Sequence, residues 1–256
     1  MLIDSHAHIQ GKEYAGEQDA VIVRAHAAGV EKIIVVGGAG DMSSNLEAIT
    51  LADSFANVFA TVGMHPHDAK DVGADELREL RELTSHPNVI AVGETGLDYY
   101  YNHSPHDVQR RVFTHFIHMA RETDLPIVVH ERDAAREAAE LLRSEGAGAL
   151  RGVIHCFTGD YGAARDYLDL GFYLSFTGII TFKNAEPLRE IVRRVPLERT
   201  LVETDSPYLT PVPHRGQRNE PAYVRFVAET IATLKGLSLE EIGRVTSDNV
   251  QTLFRI

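Results

Sequence analysis

The 256-residue chain contains no tryptophan and a single cysteine, Cys156. One thiol cannot form an internal disulfide, so the fold must be held by its core, and a chain of this length can bury one without covalent staples. A lone thiol also suits a reducing compartment, so the expected location is the cytoplasm. No run of about 18 apolar residues occurs, which excludes a membrane-spanning helix. Met1 leads straight into Leu2-Ile3-Asp4, without the basic and apolar segments of a secretion signal. Positive charge is scarce: 25 lysines and arginines face 37 aspartates and glutamates, for a net charge of −12. That balance argues against a protein that grips nucleic acid through a general basic face. Its weight is limited, because carboxylates that ligate divalent cations also enter the sum as negative. Low-complexity segments, charge blocks and linker-like stretches are absent too, so residues 1–256 read as one domain of unstated oligomeric state, with a monomer sufficient.

What recurs instead is a short β-branched run followed by an amphipathic stretch. The runs are Leu2-Ile3-Asp4, Lys32 to Val36, Val58 to Val62, Val89 to Val92, Ile127 to Val129, Gly152 to Ile154, Phe172 to Leu174 and Thr200 to Glu203. Many are continuously apolar, as strands buried on both faces are. Helical patterns cover Asp107–Arg121, Ala134–Leu142, Ala163–Leu168, Pro187–Val192, Ala222–Leu234 and Leu239–Phe254, with Ser238 and Glu241 forming a capping-box signature. Eight repeats at roughly 32 residues each predict an α/β fold of the (β/α)₈ TIM-barrel type. A doubly wound open sheet is the alternative, weakened by the lack of a glycine-rich dinucleotide fingerprint after the first strand.

Polar residues sit at the C-terminal ends of these strands. In Asp4-Ser5-His6-Ala7-His8, alternation puts Asp4, His6 and His8 on one face, where the two imidazoles can chelate one cation and Asp4 can orient a ligand. Glu94, His130, His155 and Asp205 follow the fourth, fifth, sixth and eighth apolar runs. Each alone reads equally as a turn or cap residue. In a barrel, however, those strand ends converge on one mouth, which is where barrel active sites lie. Four histidines and two carboxylates suit Zn²⁺, Mn²⁺ or Mg²⁺, and six ligands exceed what one catalytic ion needs, so two divalent ions with a bridging carboxylate are expected.

The ordered motifs Asp4-Ser5-His6-Ala7-His8, Gly63-Met64-His65-Pro66-His67, Gly93-Glu94-Thr95-Gly96-Leu97-Asp98-Tyr99-Tyr100, Val129-His130-Glu131-Arg132, His155-Cys156-Phe157-Thr158-Gly159, Thr181-Phe182-Lys183-Asn184, Glu203-Thr204-Asp205-Ser206-Pro207-Tyr208-Leu209 and Arg215-Gly216-Gln217-Arg218-Asn219-Glu220-Pro221 span nearly the whole chain. In these the chain resembles the TatD-family metal-dependent deoxyribonucleases of the amidohydrolase superfamily, with no ligand position departing from the family pattern. The resemblance implies His6, His8 and Asp205 on one metal, His130 and His155 on the other, and Glu94 bridging where other amidohydrolases often use a carboxylated lysine. It further implies that His65 grips substrate phosphate. Arg215, Arg218 and Asn219 follow the last strand, where barrel phosphate sites often form, although a solvated loop is the competing reading. Asp205 is the expected general base, and Glu203 a support for it. Tyr99, Tyr100, Tyr101, Phe157 and Tyr208 are candidates for stacking on bases or simply for packing.

The expected activity is hydrolysis of DNA phosphodiesters by a metal-activated water, with single-stranded DNA entering from a 3′ end. A hydrolase of a small amide, lactone or phosphoester on the same site is the alternative, because fold and metals do not fix substrate. A non-catalytic barrel scaffold is the third reading.

Overall fold

The computed structural model describes all 256 residues, Met1 to Ile256. Eight strands follow one another both in the chain and in the sheet: β1 (Leu2–Ala7), β2 (Val30–Val36), β3 (Val58–Val62), β4 (Val89–Asp98), β5 (Ile127–Arg132), β6 (Gly152–Ile154), β7 (Tyr173–Phe176) and β8 (Thr200–Val202). All neighbouring pairs are parallel. The circle closes just past β8, where Asp205 N donates to His6 O at 2.9 Å and His8 N donates to Ser206 O at 2.8 Å. This is the TIM-type barrel expected from the recurrence of strand and helix.

The outer ring consists of α1 (Gln18–Ala27), α2 (Ser43–Ser54), α3 (Ala74–Leu83), α4 (His106–Thr123), α5 (Ala135–Glu145), α6 (Tyr161–Asp169), α7 (Glu186–Arg194), α8 (Val224–Lys235) and α9 (Leu239–Phe254). None is long and apolar enough to cross a membrane. The first three have no counterpart among the helices read from the sequence. In α1 apolar residues point both ways, with Val21 and Ile22 buried and Val23 66% exposed, so no clean stripe marks it. In α3 only Leu80 is fully buried. Ser238 caps α9 as expected, its Oγ accepting from Glu241 N at 3.1 Å.

The strands read as continuous apolar runs because both faces are covered. Outward residues such as Ile33, Val62, Ile127 and Val129 pack under the helices with Phe113, Phe116, Ile117 and Ile231. Inward residues Ile3, Ile34, Ile90, Val128, Val153, Tyr173 and Leu201 fill the barrel axis, and α9 seals its lower end with Val250, Leu253 and Phe254. The interior is therefore a plug, and the mouth above it is closed at its base.

One irregularity shapes the mouth. Val92 pairs with Ile127, but Thr95 pairs with Val129, so β4 carries an extra residue around Gly93-Glu94. A bulge re-aims a side chain, and here it turns Glu94 inward. Glycine is required beside it. Gly93 has φ 139°, and a Cβ there would lie 2.5 Å from Val128 O; a Cβ on Gly96 would collide with His130 O. The strand then continues to Asp98, well beyond its apolar run, so Glu94 lies within β4 and not after it.

Candidate metal centre

The six residues singled out as ligands come together at the mouth. His6 and His8 stand on and just past β1, His130 on β5, and His155 directly after β6; Asp205 lies in the loop beyond β8. His6 Nε2 and His8 Nε2 are 3.1 Å apart, and His130 Nδ1 and His155 Nε2 are 3.4 Å apart. Asp205 Oδ1 lies 3.8 Å from His6 Nε2 and 3.6 Å from His8 Nε2. Glu94 stands between the two groups. Its Oε2 faces His6 and His8 at 3.4 and 3.6 Å, and its Oε1 faces His130 and His155 at 3.0 and 2.8 Å.

These distances suit a cation. Ligands held at about 2.0–2.1 Å in a tetrahedral shell lie about 3.3 Å from one another. The opposite side of most rings is also arranged for ligation. His8 Nδ1 faces Val36 O at 2.9 Å, His130 Nε2 faces Asp98 Oδ2 at 3.1 Å, and His155 Nδ1 faces Glu203 Oε1 at 3.1 Å. An imidazole that donates from one nitrogen presents a lone pair on the other. His6 differs, with a buried Nδ1 that has no partner and a ring stacked on His155 at 3.9 Å. The donor set and its spacing thus fit divalent ions.

The electrostatics are those of a crowded, buried cluster. Burial opposes ionisation of Glu94, yet His155, His65, His6 and His130 outweigh it and hold the carboxylate well below its usual range. Burial likewise opposes charge on His155, but Glu94 and Glu203 hold it protonated well above the ordinary histidine range. His130 is also raised, against its burial, by Asp98 and Glu94. His8 is pushed down to about 4 by burial and by His6, and His65 is lowered by burial and by His130. Burial lifts Asp205 to about 6. Cys156, at the same mouth, is lifted to about 12 by burial, so it is a thiol and not a nucleophilic thiolate near neutral pH.

Other expectations are redrawn. Asp4 does not orient an imidazole ring. Its carboxyl meets Thr204 Oγ1 at 2.6 Å and accepts from Thr204 N at 2.9 Å, tying β1 to the loop after β8. The ring-orienting carboxylates are Glu203 and Asp98. Asp98 could have been found by alternation, because it shares a strand face with Glu94 four residues earlier. It accepts from Tyr100 N and Tyr101 N through Oδ1 and bridges His67 and His130 through Oδ2, and this network holds its carboxyl far below the usual range against its burial.

A cavity of about 580 Å³ opens above the cluster. His65 lines it, as do His67, Tyr101, His103, Arg132 and Tyr208, none of which the strand-end pattern picked out as site residues apart from Tyr101 and Tyr208 as stacking candidates. Arg215, Arg218 and Asn219 do not line it. Arg215 donates to Thr210 O at 2.9 Å and lies over Phe182; Arg218 is held by Glu17 at 2.7 Å and by the Glu13 carbonyl, over the Tyr14 ring. Asn219 is fully buried, its Nδ2 donating to Thr204 O at 2.9 Å and to Tyr208 O at 2.5 Å. Tyr99 stacks on His106 and Phe157 is in the core, so neither reaches the mouth.

Comparison with known proteins agrees with this geometry. The profile of the family described as TatD related DNase matches residues 3–255. The metal-dependent hydrolase YabD of Bacillus subtilis is 45% identical over 256 residues, covering all of both chains. The 3′-5′ ssDNA/RNA exonuclease TatD of Escherichia fergusonii is 33% identical over 261 residues, covering 100% of this chain and 99% of that one. The crystal structure of YjjV, a TatD homologue from Escherichia coli, superposes with a TM-score of 0.94 at 28% identity, over 100% of this chain and 98% of that one. The chain belongs to the TatD family of metal-dependent hydrolases.

Proposed function

We propose that this chain is a phosphodiesterase that releases nucleotides from the end of single-stranded DNA. Two divalent ions would be held, one by His6, His8 and Asp205 and the other by His130 and His155, with Glu94 shared. The observation that carries this reading is the division of Glu94, one oxygen toward each histidine pair. Ions bound there supply an activated water near neutral pH and offset charge on the phosphoryl oxygens.

The chain's own groups supply the rest. Asp205 would take a proton from the attacking water through the carboxylate oxygen not engaged by the ion and return it to the leaving oxygen. His65 Nδ1 accepts from His67 N at 3.1 Å, so its proton sits on Nε2, which faces the cluster 3.7 Å from Glu94 Oε1. A neutral imidazole that presents an N–H to the site suits a grip on phosphate better than ligation of a cation. The plug of inward side chains below makes the site a cul-de-sac, which a free end enters more readily than the middle of a strand. The exonuclease among the relatives supports the same substrate class.

The test is release of nucleotides from end-labelled single-stranded DNA by protein loaded in turn with Zn²⁺, Mn²⁺ and Mg²⁺, with a chelated control. Metal-dependent release from linear but not closed circular strands is expected. Turnover of small amides or lactones with no cleavage of DNA under any ion would overturn the reading.

A further inference from the structure

The net charge of −12 leaves open how a polyanion is held at all. The cavity gives one answer: of all the residues that line it, Arg132 is the only lysine or arginine. Arginines on the adjoining helices are already neutralised, Arg110 of α4 by Glu137 and Arg136 of α5 by Glu140. Arg132 has no carboxylate partner. Its guanidinium lies over two tyrosine rings instead, 4.5 Å from the centroid of Tyr100 and 5.2 Å from that of Tyr101.

This arrangement is a built one. Asp98 Oδ1 accepts from the backbone N–H groups of both tyrosines, at 3.0 and 2.9 Å, and so fixes the turn that carries the rings. The two rings stand at 86° to each other with centroids 4.8 Å apart, which makes a corner. None of the guanidinium N–H groups is hydrogen-bonded within the chain, which leaves free the fork that matches two phosphate oxygens. The rings also hold the side chain in place before any ligand arrives, so less rotamer freedom is lost on binding.

Position defines what the fork would meet. Arg132 and His130 are two residues apart on β5 and share a face, with their backbones roughly 6.6 Å apart along the strand. That interval is of the order of the step between adjacent phosphates in an extended single strand. We infer that Arg132 seats the phosphate next to the scissile one and so makes the site select substrates that carry a second phosphate. This inference rests on the phosphodiesterase reading above and adds the substrate's minimum chemistry: a phosphodiester with a neighbouring anionic phosphate.

The test uses metal-loaded protein and trinucleotides of deoxynucleosides, which contain two linkages. In one substrate both linkages are phosphodiesters. In two others, one linkage or the other is an uncharged methylphosphonate, so that each polarity of cleavage is covered. Bis(p-nitrophenyl) phosphate serves as a diester with no second phosphate. For the parent, neutralising the neighbouring linkage should lower kcat/KM about tenfold, mainly through KM, as expected for loss of a charge-assisted contact. In Arg132→Gln the same neutralisation should change kcat/KM by less than about twofold, the cycle isolating the pair. Binding of a labelled, phosphorothioate-linked single strand, followed by anisotropy, gives a readout free of turnover. There the slope of log Kd against log salt should fall by about 0.7 in the variant, the share of one phosphate contact in a single strand. Arg132→Lys should restore the salt slope but only part of the discrimination, because a point charge lacks the fork. If Arg132→Gln lowers turnover of the small diester and of all trinucleotides alike, with an unchanged salt slope, the arginine is only a brace for the tyrosines and the inference is overturned while the nuclease reading stands. If the parent itself cleaves no phosphodiester with any ion, the nuclease reading fails and takes the inference with it.

Discussion

Asp98→Asn should weaken metal binding about 10–100-fold while the barrel stays folded. The carboxylate is fully buried and makes four polar contacts, two with the backbone N–H groups of Tyr100 and Tyr101 and two with the imidazoles of His67 and His130. An asparagine can keep the first pair by placing its oxygen where Oδ1 now sits. Its amide nitrogen then replaces Oδ2 and meets His130 Nε2 as a donor. Either two N–H groups oppose one another or His130 moves its proton to Nδ1, the atom that faces Glu94 at 3.0 Å and would ligate the ion. Both outcomes weaken the ligand, and loss of such an orienting partner typically costs a factor of 10–100 in affinity, or about 1.4–2.7 kcal/mol. Competition against a chromophoric chelator measures this directly, with circular dichroism as the control for folding. Parent-like affinity in a folded Asp98→Asn protein would refute the claim that Asp98 sets the orientation of His130.

Four further outcomes are expected. Asp205→Asn should lower turnover of single-stranded DNA at least about 100-fold, since it removes a proton acceptor and weakens a ligand; a labelled-strand assay giving parent-like rates would exclude that role. Metal affinity should fall as pH falls, because His155 and His130 are held protonated above the ordinary histidine range and must release protons to bind an ion. The same raised pKa values stabilise the metal-free fold fully below about pH 6.5 and are lost as pH rises through the folded values. Chelated protein should therefore lose thermal stability on going alkaline and loaded protein should not, so parallel melting curves across pH would contradict the assignment. Phe116→Ala, at a site with no exposure in the outer core, should lower the unfolding free energy by about 3–5 kcal/mol in a denaturant titration; a change under about 1 kcal/mol would mean the helix layer is packed more loosely than described.

What could be read from the sequence depended on the range over which each feature is determined. The strands were legible because burial on both faces writes a local, uninterrupted apolar run, as at Ile33 to Val36 or Ile127 to Val129. The positions at the mouth were legible for the same reason, since His130 and His155 mark where such a run reaches it. Helices α1 and α3 were not, because each buries few residues and its sheet partners complete the pattern elsewhere in the chain. The extent of β4 was hidden as well: beyond the bulge, Thr95 to Asp98 pairs with β5 through backbone groups, which leave no trace in hydropathy.

The fate of the arginines shows where local reading stops. Arg215, Arg218 and Arg132 all lie in motifs near strand ends, and nothing within a few residues of each separates them. Arg215 is turned onto Thr210 O and the Phe182 ring, outside the cavity, and between Arg218 and Arg132 the difference is pairing at long range. Glu17, about 200 positions earlier in the chain, neutralises Arg218, while Arg24 holds Glu220 through Nε and Nη2 at 3.0 and 2.6 Å, clamping the loop beyond β8 along α1. Those charges are spent on holding the loop that carries Asp205 in place. Arg132 meets no acid, only two rings supplied by the turn after β4. A cation near an active site is available to a substrate only when the fold has brought it no carboxylate, and that depends on contacts between segments the sequence keeps far apart.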